Sequence, residues 1–239
     1  MPCGKPWFAN KPEFATLTRD GEFWHVYPAL LDDGRAVMPR QPNPKSTARL
    51  ALKSGAHAMY YFADTLAGAL WEAVLRNVEP DEHGQVEISF EDLQHLRAVK
   101  IKVVADGIPL LDLTQPTMRR FGLLPDGKPW AVVQGWLQTP DHSATHEAAA
   151  ALLANLKAVG CTEMPVLSWP SRQHSASRAF LAYAPPMSDH WWQEVEAPIR
   201  LDDPIHGHPK LRDELTACGF SWPVPLTGTG DIRGPEMDP

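Results

Sequence analysis

Residues Met59–Asn77, MYYFADTLAGALWEAVLRN, read as a strand, a tight turn and a helix. The aromatic run Met59-Tyr60-Tyr61-Phe62 has strand character. Asp64 and Thr65 supply helix-capping oxygens, and Leu66, Ala69, Leu70, Ala73 and Val74 recur at helical spacing. Adjacent strand residues point to opposite faces, so one of Tyr60 and Tyr61 must face a core. Glu72, eleven residues after Tyr61, is the only acid in the apolar part of the helix. A carboxylate in near-apolar surroundings is costly unless a donor pairs with it, so Glu72 requires a partner.

Outward from this stretch, Phe23–Tyr27 is a strand closed by Pro28, and residues Met1–Glu22 are expected to be a loose leader. Asp32–Ser54 is a long polar loop broken by Pro39, Pro42 and Pro44 and carrying Arg35, Arg40 and Arg49. Val86–Phe90, Ala98–Val104, Leu110–Leu113, Met164–Trp169 and Arg178–Ala184 read as further strands. Glu91–Leu96 is a short helical turn, Gln115–Phe121 a helix-like segment and Pro209–Ala217 a short helix. Thr145–Val159 has the strongest helical pattern, with an Ala/Leu interior and Gly160 at the stop. The segment Gly122–His142 is rich in Gly, Pro and Trp and gets no element, with Trp130 and Trp136 as anchors. Thr227–Pro239 is expected to be a frayed tail. The whole is one domain over residues 23–226, of α+β class, with a mixed or mainly antiparallel central sheet flanked by helices.

Composition narrows the function. A net charge of -7 with scattered acids offers no basic stripe for nucleic acid. No apolar run approaches the roughly 20 residues of a membrane span, and the start of the chain has no signal-peptide pattern, so a cytoplasmic protein without a membrane partner is expected. Cys3, Cys161 and Cys218 are too far apart for a zinc knuckle or a disulfide framework. His206-Gly207-His208 lacks a third ligand at a convincing spacing, and neither a nucleophile elbow nor a phosphate-binding glycine loop is present. Taken singly, Glu72 is a helix-edge acid, Tyr61 a core aromatic, Arg49 a loop charge and Ser171 a turn serine.

Taken in order, these pieces resemble the RES-domain family, named for arginine, glutamate and serine. Trp24-His25-Val26-Tyr27-Pro28 is similar to the family's opening strand, and Arg49 lies ahead of the central strand. The step from Tyr61 to Glu72, with Ala69 between, has the family spacing. Leu110-Leu111-Asp112-Leu113-Thr114 resembles the middle signature, and Trp169-Pro170-Ser171-Arg172 the Tyr-Pro-Ser-Ala-Arg type. The resemblance spans Phe23–Tyr183.

The resemblance implies a compact fold like that of ADP-ribosyltransferases and a chemistry that cleaves the nicotinamide–ribose bond of NAD. NAD is then a substrate, and no metal is required because nicotinamide is already a cationic leaving group. Members act as toxins paired with an antitoxin or immunity protein. They deplete NAD by hydrolysis or phosphorolysis, or transfer ADP-ribose to a protein acceptor. The implied roles are Glu72 beside the positive ribose, Arg49 on the pyrophosphate, Tyr61 on nicotinamide or ribose, and Ser171 bonding to either. His25 stands where the family usually has arginine. The phosphate contact there is either missing or supplied by Arg35 or Arg40, and a RES-like binding module without catalysis is the remaining alternative.

Overall fold

A computed structural model describes residue 8 and residues 11–31, 33–114, 116–117, 129–139 and 141–223. The predicted aromatic strand is β3 (Ala58–Ala63). It runs through Asp64 into α1 (Leu66–Ala73), whose N-cap is Thr65: the residue is extended, and its hydroxyl accepts the Gly68 N–H at 2.9 Å. Such a cap is worth about 1 kcal/mol. Ahead of them lie β1 (Ala15–Thr16) and β2 (Glu22–Pro28). After them come α2 (Phe90–Leu93), β4 (Leu96–Val103), β5 (Pro109–Asp112), α3 (Pro129–Gln138), α4 (His142–Ala158), β6 (Val166–Pro170), β7 (Arg178–Ala184), β8 (Trp192–Glu194), β9 (Ile199–Arg200) and α5 (Gly207–Ala217).

The strands form one sheet in the order β1-β5-β6-β7-β3-β2-β4-β8, with β9 also pairing β4. Only β5 and β6 run parallel, and every other pair is antiparallel. This is the expected α+β class with a mixed, mainly antiparallel sheet. A parallel pair needs a long crossover, and here it contains α3 and α4.

Strand alternation sorts the core into two sides. On one, Met59, Leu167, Leu181 and Tyr183 pack with Leu137 of α3 and Ala149, Leu152 and Leu156 of α4. On the same side, Trp24, Val26 and Ala98 pack with Leu70 and Leu75 around α1 and Leu211 and Leu215 of α5. Among the described residues, the cluster on the opposite side includes no α-helix. Aromatic contacts fill it instead: Phe62 stacks on Phe180 with centroids 5.0 Å apart, Phe23 meets both rings edge-on, and Tyr60 stacks on Trp192 at 5.5 Å. Such pairs add about 0.5–1.5 kcal/mol each beyond the area they bury.

Several expectations are corrected. The segment ahead of β2 is not a loose leader throughout: β1 pairs with β5, and Phe8 and Leu17 are buried. Val86–Phe90 alternates in burial but forms no strand, because its ladder is a single bridge between Gln85 and Ser221, and Phe90 already opens α2. Val86 and Ile88 fill the α1 cluster from an extended segment, which gives strand-like alternation without strand pairing. Helix α4 starts at His142 rather than Thr145, because Asp141 accepts the Ser143 N–H and caps it; Thr145 is interior and buried. α3 lies in the Gly-, Pro- and Trp-rich segment, where the sequence shows no element. Most of Gln115–Phe121, the Trp130 side chain and the Thr227–Pro239 tail lie outside the described residues. No described helix is long and apolar enough to cross a membrane.

Helix α1 packs unusually close to the turn between β6 and β7. A Cβ added at Gly68 would lie 2.6 Å from the Ser177 Cβ and 2.9 Å from its Oγ. Gly68→Ala is therefore expected to lower stability by about 1–3 kcal/mol in urea unfolding. In a Ser177→Gly background the same change should cost clearly less; an equal cost in both would place the strain elsewhere.

Candidate active site

Glu72 sits near the end of α1, half-buried, where the two helix-covered parts of the core meet. Its partner is supplied by the turn after β6. The Ser171 hydroxyl donates to Glu72 Oε1 at 2.6 Å, and the Arg172 backbone N–H donates to the same oxygen at 3.1 Å. Ser171 is itself fixed, since its Oγ accepts the N–H groups of Gln173 and His174 at 3.2 and 3.0 Å. The turn is closed by Ser171 N–H to the Ser177 carbonyl at 2.8 Å, and the Ser177 hydroxyl bonds to His174 Nδ1 and to the Thr65 hydroxyl. One carboxylate oxygen is thus held by two donors. Oε2 receives no hydrogen bond from the described residues.

Tyr61 and Arg49 stand on the same side. Tyr60 turns into the aromatic face, so Tyr61 takes the other, and its hydroxyl donates to the Arg49 carbonyl at 2.7 Å. The ring stays partly exposed, while burial of its hydroxyl end raises the phenol pKa well above the ordinary value. The Tyr183 hydroxyl holds the next carbonyl, of Leu50, at 2.8 Å, and the Leu50 N–H donates to Thr145 Oγ1 at 2.8 Å. Leu50 has φ of 60°, a left-handed conformation that a branched side chain takes only when its surroundings impose it.

The Arg49 side chain differs from the sequence expectation. Its guanidinium is buried and donates to the carbonyls of Trp136 and Thr139, the latter at 2.8 Å. These carbonyls stand in and just beyond the last turn of α3, so Arg49 caps that helix. Burial lowers its pKa from the ordinary value, Glu72 opposes that shift, and Arg172 adds to it.

Sequence reasoning missed three neighbours. Arg172 reached it only as part of the serine motif. Arg76, four residues after Glu72, offered only its spacing, and His142, at the start of α4, offered no signal. Burial lowers the His142 pKa, Arg49 and Arg76 push it the same way, and Glu72 opposes them. The cue for Arg76 was its i+4 spacing from Glu72. Nothing in the sequence could place His142, whose approach depends on the crossover.

His25 does not join this group. It stacks on Tyr27 with centroids 5.6 Å apart and lies 4.1 Å from the Tyr60 ring, on the aromatic face. Its Nδ1–H donates to the Tyr61 carbonyl at 2.5 Å, and its Nε2 is buried without a partner among the described residues. The His25 ring thus lies on the opposite side of the sheet from Glu72. Neither proposed substitute is open, because Arg35 is bonded to Asp33 and Arg40 pairs with Glu194 and reaches the Asp189 and Trp192 carbonyls. A cavity of about 260 Å³ on the aromatic side, between Phe23, Phe180, Asp112 and Arg178, contains none of the candidate residues. Among the described residues no group of three or more His, Cys, Asp or Glu is placed to hold a metal ion.

A family model described as "RES domain" matches residues 16–199, most of the chain. No curated protein matches it significantly. Among solved structures, a chain of the M. tuberculosis MbcT–MbcA toxin–antitoxin complex is similar at 15% sequence identity and a TM-score of 0.49, with 84% of this chain and 92% of that chain covered.

Burial lowers the His25 pKa from 6.5 to about 4, and the bond to the Tyr61 carbonyl only partly opposes this. Between those values the unfolded chain binds more protons than the folded one. Stability is therefore full above pH 6.5 and is lost as the pH falls toward 4, by up to about 3 kcal/mol. Urea unfolding across this range should show that slope in the wild type and its loss in His25→Gln.

Proposed function

The chain belongs to the RES-domain family, and from that premise we propose that it degrades NAD by cleaving the nicotinamide–ribose bond. The observation that carries the proposal is Glu72, with Oε1 held by Ser171 and the Arg172 N–H and Oε2 unbonded by the described residues. As the bond breaks, its electron pair leaves with nicotinamide and the ribose becomes oxocarbenium-like. A carboxylate fixed in advance stabilises that charge without reorganising. Water or phosphate then adds to the anomeric carbon and gives up a proton, leaving ADP-ribose or its phosphate. Ser171 positions the carboxylate, Tyr61 offers a partly exposed ring to nicotinamide or ribose, and Arg49 acts through α3 and through its charge. The setting proposed is that of a cytoplasmic toxin restrained by an antitoxin or immunity protein.

The test is nicotinamide release from NAD by the purified protein, with and without phosphate. Release is expected in the wild type and should fall at least about 100-fold in Glu72→Gln, the scale of losing one preorganised electrostatic group. Ser171→Ala should fall less, because the Arg172 N–H still holds Oε1. A requirement for phosphate would identify phosphorolysis, and label retained on a protein would identify transfer. No release under any condition overturns the proposal.

A further inference from the structure

The turn between β6 and β7 grips α1 at both ends. At the C-terminal end, Ser171 and the Arg172 N–H hold Glu72; at the N-terminal end, the Ser177 hydroxyl bonds to the cap residue Thr65. His174 touches both serines. Its backbone N–H donates to Ser171 Oγ at 3.0 Å, its ring Nδ1 lies 2.7 Å from Ser177 Oγ, and its carbonyl accepts the Ser177 N–H at 2.9 Å.

We propose that His174 is a positioning residue for Glu72: neutral, with its proton on Nε2, it accepts the Ser177 hydroxyl at Nδ1 and so ends a hydrogen-bond chain that starts at the cap of α1. The role rests on Glu72 being the carboxylate that serves NAD cleavage. Counting hydrogens fixes the direction of the chain. Thr65 Oγ1 accepts the Gly68 N–H, and its own hydrogen goes to Ser177 Oγ. The Ser177 hydrogen then goes to Nδ1, and every donor in the chain has an acceptor. With the proton on Nδ1 the chain runs backwards: the Ser177 hydrogen turns to Thr65, and the Thr65 hydrogen has no acceptor among the described residues. Ser177 is 1% exposed, so solvent does not replace a lost partner. Its hydroxyl also lies against Gly68, where an added Cβ would be 2.9 Å from Oγ, and it has little room to turn. The chain is polarised in one sense, from the positive end of α1 toward the imidazole lone pair. Without the ring acceptor the Ser177 hydroxyl competes for the cap, and the turn loosens at its Ser171 end as well.

Nitrogen NMR of the wild-type chain at about pH 8, above the ordinary histidine range, reads the proton directly, and His174 should show the Nε2–H form. This measurement needs no variant, so it decides the matter even if His174→Ala does not fold. Amide hydrogen exchange at Arg172 should be faster in His174→Ala and return to the wild-type rate in His174→Asn, which puts an acceptor Oδ1 at the place of Nδ1. In nicotinamide release, His174→Ala should lower kcat about tenfold with KM little changed, and His174→Asn should recover most of the loss. An Nδ1–H ring, wild-type exchange and kcat in His174→Ala, or no recovery in His174→Asn overturns the role. Release that falls in Glu72→Gln but not in His174→Ala overturns the positioning and leaves NAD cleavage standing. Faster Arg172 exchange in His174→Ala that His174→Asn reverses, in a protein that releases no nicotinamide, overturns NAD cleavage and leaves the positioning standing.

Discussion

Helix α1 reaches the β6–β7 turn only because Gly68 carries no side chain there. At that distance Ser177 can bond to the cap residue Thr65, and the turn presents Ser171 and the Arg172 N–H to Glu72. The contact joins residues 99 positions apart in sequence. It also answers the question the helix raises. A carboxylate in this setting is tolerated because two donors converge on one of its oxygens, one a buried hydroxyl with no freedom to turn elsewhere.

The two sides of the sheet do different work. On one, helices cover the strands in two groups, and the candidate site lies where the groups meet. On the other, aromatic rings and His25 cover the sheet, with the Asp112–Arg178 pair at a cavity beside them. Tyr60 and Tyr61 illustrate the division, since neighbouring hydroxyls serve opposite sides. The first bonds to the Pro39 carbonyl and the second to that of Arg49. The long loop before β3 is therefore fastened on both sides of the sheet, and its strained residue, Leu50, sits at the fastening nearest the site.

Much of this was legible in the sequence where the signal is local. The aromatic strand, the Thr65 cap and the helical spacing of Leu66, Ala69, Leu70 and Ala73 fix β3 and α1. The alternation of β2 and β4 and the apolar runs of β6 and β7 are similarly plain. The grouping of Arg49, Tyr61, Glu72 and Ser171 on one side came from their order along the chain, not from periodicity. What could not be read depends on packing. Val86–Phe90 alternates but among the described residues meets its neighbour only through the Gln85–Ser221 bridge. The stretch containing α3 looked irregular because Gly, Pro and Trp obscure its period. Arg49 looked like a loop charge because its acceptors are backbone carbonyls, which leave no mark in a sequence. His25 could not be assigned a side without knowing that the Phe23, His25 and Tyr27 row meets the aromatic cluster.

The crossover between β5 and β6 also has a consequence for synthesis. Glu72 leaves the ribosome well before Ser171, and β6 cannot pair with β5 until α3 and α4 have been made between them. During that interval the carboxylate lacks the two donors that fix it, and Arg49 lacks the helix end that it caps. The candidate centre is therefore assembled only when the last quarter of the chain begins to emerge. A nascent polypeptide therefore carries Glu72 and Arg49 before the groups that hold them exist.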